Sequence, residues 1–320
     1  MLPTGWESHP APKQGWDTDL QYVVYLHACQ LVSYNRLVEM LHGLFGLTLS
    51  EGAIANMLAR AATPFAVAGR NIAAEVRAAP VIASDETSAR VHGKTRCRRG
   101  LPRRQQAMWQ WVFGCATAVA HIIAPSRGKA VVTTFLDGAR PKVWISDRLA
   151  AQCGHAEQHQ FCLAHLIRDA QYAIDDGDTL FAPGFKGLLK RACAIGRRRD
   201  GLADTTLAGH RRNLDRRLDR LLAADPNGKA GLKLKWAILA CRKNLFVFVT
   251  RRDVPATNNV SERALRPSVI FRKVTNGFRS GWGAVVYADI RSIVATGQLN
   301  GRSALTAIRQ ALGAGSAAAA

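Results

Sequence analysis

Two short apolar segments, each closed by an aspartate, constrain the fold of this chain most strongly. VIASDE (residues 81–86) and KVWIS (142–146) are apolar and β-branched, which is typical of buried strands, and Asp85 and Asp147 stand at their ends. Open α/β sheets place their sites at the carboxyl ends of strands, and a buried carboxylate needs a cation or hydrogen bonds. We therefore expect two carboxyl groups at one edge of a sheet. The alternative is that each aspartate only caps the following turn.

The segments around these strands alternate between strand and helix patterns. MWQWVFGCA and AVAHIIA predict two more strands, and SRGKAVVTTFL predicts a helix before KVWIS. Residues 17–77 and 155–250 have helical periodicity throughout. This order predicts an α/β fold with a mixed sheet and flanking helices.

The N-terminal helical stretch contains two short helices around a turn. Gly46 can end the first helix, and Ser50 or Thr48 can cap the second. A helix-turn-helix motif has this pattern. The recognition helix of such a motif should carry exposed polar or basic residues that contact DNA bases, and here only Glu51, Asn56 and Arg60 are available. The sequence favours a packing hairpin over a base-reading element.

The charge of the chain is large and unevenly distributed. The net charge is +21, yet residues 1–80 hold five basic against six acidic residues, so the excess lies beyond them. An excess that persists through segments of different composition favours binding of a polyanion, above all nucleic acid, over a merely solvated basic surface. Seven cysteines without a C-x-x-C pair, and a polar N-terminus, indicate a cytoplasmic protein without a membrane partner.

A third acidic candidate is Glu262, in the segment TNNVSERALRP. One interpretation is a capping box, in which Asn259 caps a helix and Glu262 is its third residue. The other places Glu262 beside Asp85 and Asp147. Three crowded carboxylates raise one another's pKa, and a pair of Mg²⁺ ions would resolve that repulsion and support phosphoryl displacement.

Several motifs resemble the insertion sequence 66 family of bacterial transposases. PATNNVSERALRP, FRKVTNGFRSGWGA and IRSIVATGQLNG are similar to its C-terminal signature, and the NN-x-x-ER-x-x-RP run is the most specific part. SDET, SRGKAVVTTFLDG and CLAHLIRDA resemble its other landmarks, in the same order. The resemblance covers about residues 17–310.

The resemblance implies a DDE transposase with an RNase H-like core, in which Asp85, Asp147 and Glu262 are the catalytic residues. The same three residues would hold two Mg²⁺ ions, for which Mn²⁺ can substitute. The implied activity is cleavage at transposon ends and strand transfer into target DNA, at the nucleoid, by a homo-oligomer with accessory transposition proteins. The expected segments are an irregular leader (1–16), a helical N-terminal domain (17–79), the first part of the core (80–174), a helical insertion (175–255), the second part of the core with C-terminal helices (256–311) and a low-complexity tail (312–320).

Two further groups of residues are candidates for binding or support. The basic residues at and after Glu262 are expected to contact DNA phosphates, the alternative being a solvated helix face: Arg263, Arg266, Arg272, Lys273 and Arg279. Cys162 and His165 form a C-x-x-H pair, which is two ligands where a structural zinc usually has four. We expect a structural role for this pair, without zinc.

Rival functions remain open from the sequence. An RNase H-like nuclease specific for a DNA structure would cut without joining. A transposase-derived DNA-binding protein would not cut at all, and a basic RNA-binding protein would need no metal.

Overall fold

The computed structural model of the chain describes residues 16–92 and 106–317. The predicted leader except Trp16, the basic turn 94–105 and the last three residues of the predicted tail lie outside the described residues. The strands are β1 (Val81–Val91), β2 (Gln106–Gly114), β3 (Val119–Ala124), β4 (Val143–Ser146) and β5 (Gln158–Phe161). The helices are α1 (Trp16–Ala28), α2 (Tyr34–Phe45), α3 (Glu51–Arg60), α4 (Ala62–Ala78), α5 (Lys129–Leu136), α6 (Leu163–Asp175), α7 (Ala182–Arg198), α8 (Asp204–Ala223), α9 (Lys229–Cys241), α10 (Val247–Thr250), α11 (Asn259–Thr275), α12 (Gly281–Leu299) and α13 (Ala304–Ala317).

The five strands form one mixed sheet in the order β3-β2-β1-β4-β5. β2 and β3 are antiparallel, whereas β1 pairs with β4, and β4 with β5, in parallel. The predicted α/β fold with a mixed sheet and flanking helices is therefore confirmed. Among the described residues, no helix is both long enough and apolar enough to cross a lipid bilayer.

The sequence prediction was wrong at β5, because it assigned the residues of this strand to a helical region. Its sequence, QHQF, is short and polar, so no apolar alternation identifies it. The pairing with β4 makes it a strand, and its polar side chains are accommodated by local partners. The Oγ of Ser146 on β4 lies 2.9 Å from Nε2 of buried His159.

Contacts divide the chain into two compact units. The first comprises the described residues of Met1–Val76, Glu86–Arg127 and Arg263–Ala320. The second comprises Arg77–Asp85 and Gly128–Glu262. The predicted segments follow the chain, whereas these units group segments that are distant in sequence, and the boundaries fall within β1 and α11.

The second unit is built around the apolar faces of α6 to α10. Leucines on one face of the amphipathic helix α8 are buried: Leu207, Leu214, Leu218 and Leu222. The helical periodicity of residues 155–250 indicates no interruption after residue 229, but a 3₁₀ turn at Arg242–Asn244 separates α9 from α10. The break allows Phe246 and Phe248 to be fully buried in the core of this unit.

The first unit contains the α2–α3 hairpin with the predicted caps. Gly46 follows α2 in the left-handed conformation, and Ser50 caps α3 by accepting a hydrogen bond of 3.0 Å from the backbone N–H of Ala53. In the same unit α12 is fixed to β3. The hydroxyls of Ser292 and Thr296 accept hydrogen bonds of 2.7 and 3.0 Å from the backbone N–H groups of His121 and Val119.

Asp289 on α12 makes the stability of the first unit depend on pH. Its carboxylate packs against Gly69 of α4, where an added Cβ would lie 2.5 Å from Oδ1. Burial raises the pKa of Asp289 to about 6, and Arg70 partly opposes that shift. Because the folded pKa exceeds the unfolded value of 3.8, the folded state binds the proton more tightly. The free energy of unfolding should therefore decline as the pH rises from about 4 to about 6.

We predict that Asp289→Asn removes this decline and stabilises the protein at neutral pH by about 1–2 kcal/mol, a figure reduced because the side chain is partly exposed. Urea unfolding measured between pH 4 and pH 7 checks it. The control is Asp200→Asn, at a carboxylate whose side chain is 87% exposed. Equal pH profiles for wild type and Asp289→Asn would contradict the prediction.

Candidate active site

The two aspartates occupy matching positions on neighbouring parallel strands, but the prediction that both stand at strand ends is correct only for Asp147. β4 ends at Ser146, whereas β1 continues through Asp85 to Val91. Ala83 of β1 is paired with Ile145 of β4, and Asp85 and Asp147 each lie two residues beyond that pair. Both aspartates are half-buried. The parallel register therefore places both aspartates just beyond the last paired residues of β1 and β4.

Asp147 is oriented by its own backbone. Its Oδ1 accepts a hydrogen bond of 2.9 Å from the N–H of Leu149, and its carbonyl oxygen accepts one of 2.7 Å from the hydroxyl of Ser146. The turn-capping alternative is thus realised for one carboxylate oxygen. Such a cap fixes the direction of the carboxylate.

The adjacent acid, Glu86, has a different partner. Successive residues of a strand face opposite sides, so Glu86 faces away from the side of Asp85. Its side chain is 1% exposed and forms a salt bridge of 2.6 Å with Arg127. This pairing gives Glu86 a structural role.

Asn258 fixes the segment before α11 to β1 and to the residue that follows β5. Its side-chain Nδ2 donates a hydrogen bond of 2.8 Å to the carbonyl oxygen of Ser84, next to Asp85. Its backbone N–H donates one of 3.2 Å to Sγ of Cys162, which directly follows β5. Sequence reasoning missed this role, although the Asn–Asn pair before the helix was a visible signal.

Glu262 lies in the first turn of α11, and it does not form the alternative capping box. The helix begins at Asn259, and the N–H of Glu262 donates to the carbonyl oxygen of Asn258 at 3.1 Å. Glu262 Oε1 has no hydrogen-bond partner among the described residues. It lies 3.5 Å from Nδ1 of His165 and 3.6 Å from Nη2 of Arg168.

Glu262 belongs to a cluster that the sequence did not predict. The ligand atoms of Cys162, His165 and Glu262 all lie within 4.8 Å of one another, and in the part of the chain that the structure describes they are the group of three with this property. Asp85 and Asp147 are not members of it. The C-x-x-H pair was visible in the sequence, but its acidic neighbour comes from a distant helix.

Burial favours the neutral form of two groups near Asp147 and Glu262. Burial, assisted by His155, lowers the pKa of His159 to about 4. Burial also raises the pKa of the Cys162 thiol, and the negative charge of Glu262 acts in the same direction.

The basic residues of the first unit fall into two groups. Arg263, Arg266 and Lys273 are exposed, and their spacing places them on one side of α11. Arg279, beyond the helix, is also exposed. Arg272 lies on the opposite side and donates hydrogen bonds to the carbonyl and hydroxyl oxygens of Ser88 on β1. The guanidinium of Arg272 therefore has a structural role, and the predicted contact with DNA would compete with these hydrogen bonds.

Comparison with known proteins identifies a matching family model and two solved structures with weak similarity to the chain. The family model described as Transposase IS66 family matches residues 18–286. No curated protein matches the sequence. Two solved structures resemble parts of the chain: "Mos1 transposase paired-end complex with left transposon end" and "Crystal structure of the Mos1 Strand Transfer Complex".

These two likenesses are small. Each has 13% sequence identity and a TM-score of 0.16, and they cover 48% and 47% of this chain. The chain spans just over half of each of those proteins, 57% and 56%. The family match, in contrast, extends from α1 into α12 and includes Asp85, Asp147 and Glu262. The chain belongs to the IS66 family of transposases.

Proposed function

We propose that the protein cleaves phosphodiester bonds at transposon ends and transfers the freed strand into target DNA, with Asp85, Asp147 and Glu262 as the catalytic residues. One observation carries the assignment. Asp85 of β1 and Asp147, which directly follows β4, lie in matching positions beyond the paired residues of these adjacent parallel strands, and the segment leading to Glu262 is bonded to the backbone of Ser84 beside Asp85.

The three residues fit divalent cations such as Mg²⁺ or Mn²⁺. Carboxylate oxygens are the donors that Mg²⁺ takes in proteins. Glu262 Oε1 is a buried oxygen without a hydrogen-bond partner among the described residues, and its nearest cation, the guanidinium of Arg168, lies 3.6 Å away, so a divalent ion would add a direct contact. When bound, such ions would neutralise charge on the scissile phosphate and lower the pKa of the attacking water or hydroxyl.

The residues of the chain have separate tasks in this proposal. The Leu149 N–H holds the Asp147 carboxylate in one direction, and Asn258 holds the start of α11 against β1. Arg263, Arg266 and Lys273 bind DNA phosphates and position the strand without reading its sequence. The excess of basic residues beyond position 80 accounts for the affinity, so the partners are transposon ends and target DNA at the nucleoid. Assembly as a homo-oligomer, and help from accessory transposition proteins, are parts of the same proposal.

The salt dependence of DNA binding tests the role of α11. We expect the triple change of Arg263, Arg266 and Lys273 to Gln to reduce the slope of log K against log salt concentration by about one unit for each lost contact. Fluorescence anisotropy with a labelled duplex at several salt concentrations measures the slope. The control removes three exposed charges of the second unit, Arg197, Lys229 and Lys233, by the same change to Gln. An equal loss of slope in the control would show that net charge, and not the face of α11, binds DNA.

The activity itself is tested with DNA that borders the coding sequence of the protein. Purified full chain is incubated with a plasmid carrying these borders, and with pre-cut ends bearing a 3′-hydroxyl, in Mg²⁺, Mn²⁺ or EDTA. We expect metal-dependent cleavage and joined products. Cleavage without joining would favour the structure-specific nuclease, and binding without cleavage would favour a non-catalytic DNA-binding protein.

A further inference from the structure

The cluster of Cys162, His165 and Glu262 has the geometry of a metal site of mixed donors. Cys162 directly precedes α6 and His165 lies in its first turn, so the C-x-x-H spacing presents both side chains on the same side of the helix start. Glu262 reaches the same place from the first turn of α11, and the three ligand atoms lie within 4.8 Å of one another. Donors of one tetrahedral ion lie roughly 3.3–3.8 Å apart, because each bond is about 2.0–2.3 Å long, so small side-chain rotations would bring the three atoms into contact with one ion.

Two atoms of the cluster have no hydrogen-bond partner in the described part of the chain. They are Nδ1 of His165 and Oε1 of Glu262, both buried and 3.5 Å apart. A buried polar atom without a partner costs about 1–3 kcal/mol. A cation between them would satisfy both atoms at once.

One hydrogen bond supports a thiolate ligand, although burial raises the pKa of the free Cys162 thiol and Glu262 acts in the same direction, so the ion has to displace the proton. The backbone N–H of Asn258 donates to Sγ of Cys162, and such bonds stabilise the negative charge that a metal-bound sulfur carries. One thiolate and one carboxylate balance the charge of a divalent ion, while His165 is a neutral ligand. Arg168, the cation near Glu262, has a side chain that is 65% exposed, so it can turn into solvent when an ion binds.

We propose that Cys162, His165 and Glu262 form a three-ligand site for Zn²⁺ or a similar thiophilic divalent cation. One sulfur, one nitrogen and one oxygen donor suit Zn²⁺, whereas Mg²⁺ takes oxygen donors alone. Three protein ligands leave a fourth position open, unlike a closed structural site. Binding releases the thiol proton of Cys162 to solvent. The sequence prediction of a structural pair without zinc counted only ligands nearby in the chain, and Glu262 is the ligand it did not count.

The mixed-donor site shares Glu262 with the proposed catalytic residues, so an ion bound there affects catalysis. This part of the inference rests on the proposed function. With Oε1 bound beside Cys162 and His165, Glu262 has only its second oxygen for ions near Asp85 and Asp147, and a Zn²⁺ ion next to it repels a further cation. Zn²⁺ in the mixed-donor site therefore competes for Glu262 and inhibits the Mg²⁺-dependent reaction. Zn²⁺ is an inhibitor in this scheme and not an alternative activating ion.

Cobalt is the probe for binding, because a cobalt–thiolate bond gives a charge-transfer absorption and a tetrahedral site gives strong visible bands. We expect these bands when Co²⁺ is added to the metal-free full chain, and their loss when Zn²⁺ displaces Co²⁺. Cys162→Ser should abolish the charge-transfer band, and His165→Gln should weaken the affinity about tenfold or more. Cys115→Ser, at a thiol in the turn between β2 and β3, is the matched control and should keep both.

Two results would overturn the site: no thiolate band in wild type, or an unchanged band in Cys162→Ser. Cys162 is buried, so circular dichroism must show that Cys162→Ser is folded. If it is not, His165→Gln decides, because that side chain is 30% exposed and its replacement leaves the core intact. An unchanged affinity in His165→Gln then overturns the site.

Inhibition is measured as the ratio of cleavage rates with and without Zn²⁺ in the same variant, so a lowered basal rate does not affect it. Zn²⁺ should lower the cleavage rate of wild type at least about tenfold, and it should leave the rate of His165→Gln nearly unchanged. Normal Co²⁺ spectra with no inhibition by Zn²⁺ would refute the inhibitory role but would still support the metal site itself. Normal Co²⁺ spectra without cleavage in any metal would instead contradict the proposed function.

Discussion

Asp85→Asn is expected to reduce cleavage and strand transfer by about 10²–10³-fold or more, while DNA binding stays nearly unchanged. Asparagine keeps the size of the side chain but removes the negative charge that a divalent cation requires. The basic residues that bind phosphate are unaffected, and removal of one negative charge does not weaken their attraction to DNA. Single-turnover cleavage of a labelled transposon end and anisotropy with the same DNA measure the two quantities.

Asp147→Asn should have a similar effect, because its position on β4 matches that of Asp85 on β1. The control for the loss of one acidic charge is Asp200→Asn, whose side chain is 87% exposed at the start of a 3₁₀ turn in the second unit. Cleavage at the wild-type rate by Asp85→Asn would refute the assignment of the catalytic residues. A parallel loss of DNA affinity would instead indicate a folding or binding defect.

The starts of β1 and β4 were predictable because buried strands have a strong sequence signature, whereas the continuation of β1 beyond Asp85 to Val91 was not predicted. VIASDE and KVWIS are apolar and β-branched, and the acids that follow them are conspicuous against that background. The mixed α/β sheet, the caps of α2 and α3 and the leucine face of α8 follow from equally local rules. In each case the signal lies within a few residues of the feature it predicts.

The features that the sequence did not reveal depend on partners that are distant in the chain. β5 is polar and becomes a strand only by pairing with β4. Glu262 could cap its own helix or turn toward α6, and local sequence could not decide between the two because the preference comes from His165. The hydrogen bonds of Arg272 to Ser88 likewise could not be predicted from the helical periodicity of α11.

The turn after α11 shows how strongly one such distant contact constrains the sequence. Asn276 and Gly277 have positive φ angles of 60° and 100°. The N–H of Phe278 then donates to the carbonyl oxygen of Arg90, and the N–H of His92 donates to that of Phe278, each at 2.8 Å. Phe278 is 7% exposed and stacks on Phe271 at 5.0 Å between ring centroids. This motif lies within the segment FRKVTNGFRSGWGA, which carries part of the family resemblance.

Gly277→Ala is expected to destabilise the first unit by about 3–4 kcal/mol. A Cβ at this position would lie 2.5 Å from the carbonyl oxygen of Arg90 and 2.7 Å from its Cβ, so the backbone of β1 would have to move. That movement breaks hydrogen bonds and unpacks Phe278, in addition to the strain of about 1–2 kcal/mol for alanine in the left-handed region. Gly301→Ala is the matched control, because Gly301 has a φ of 73° but no atom within 4 Å of its added Cβ. It should show the strain alone. Urea unfolding followed by circular dichroism measures both variants, and equal losses would mean that the contact with Arg90 does not constrain this turn.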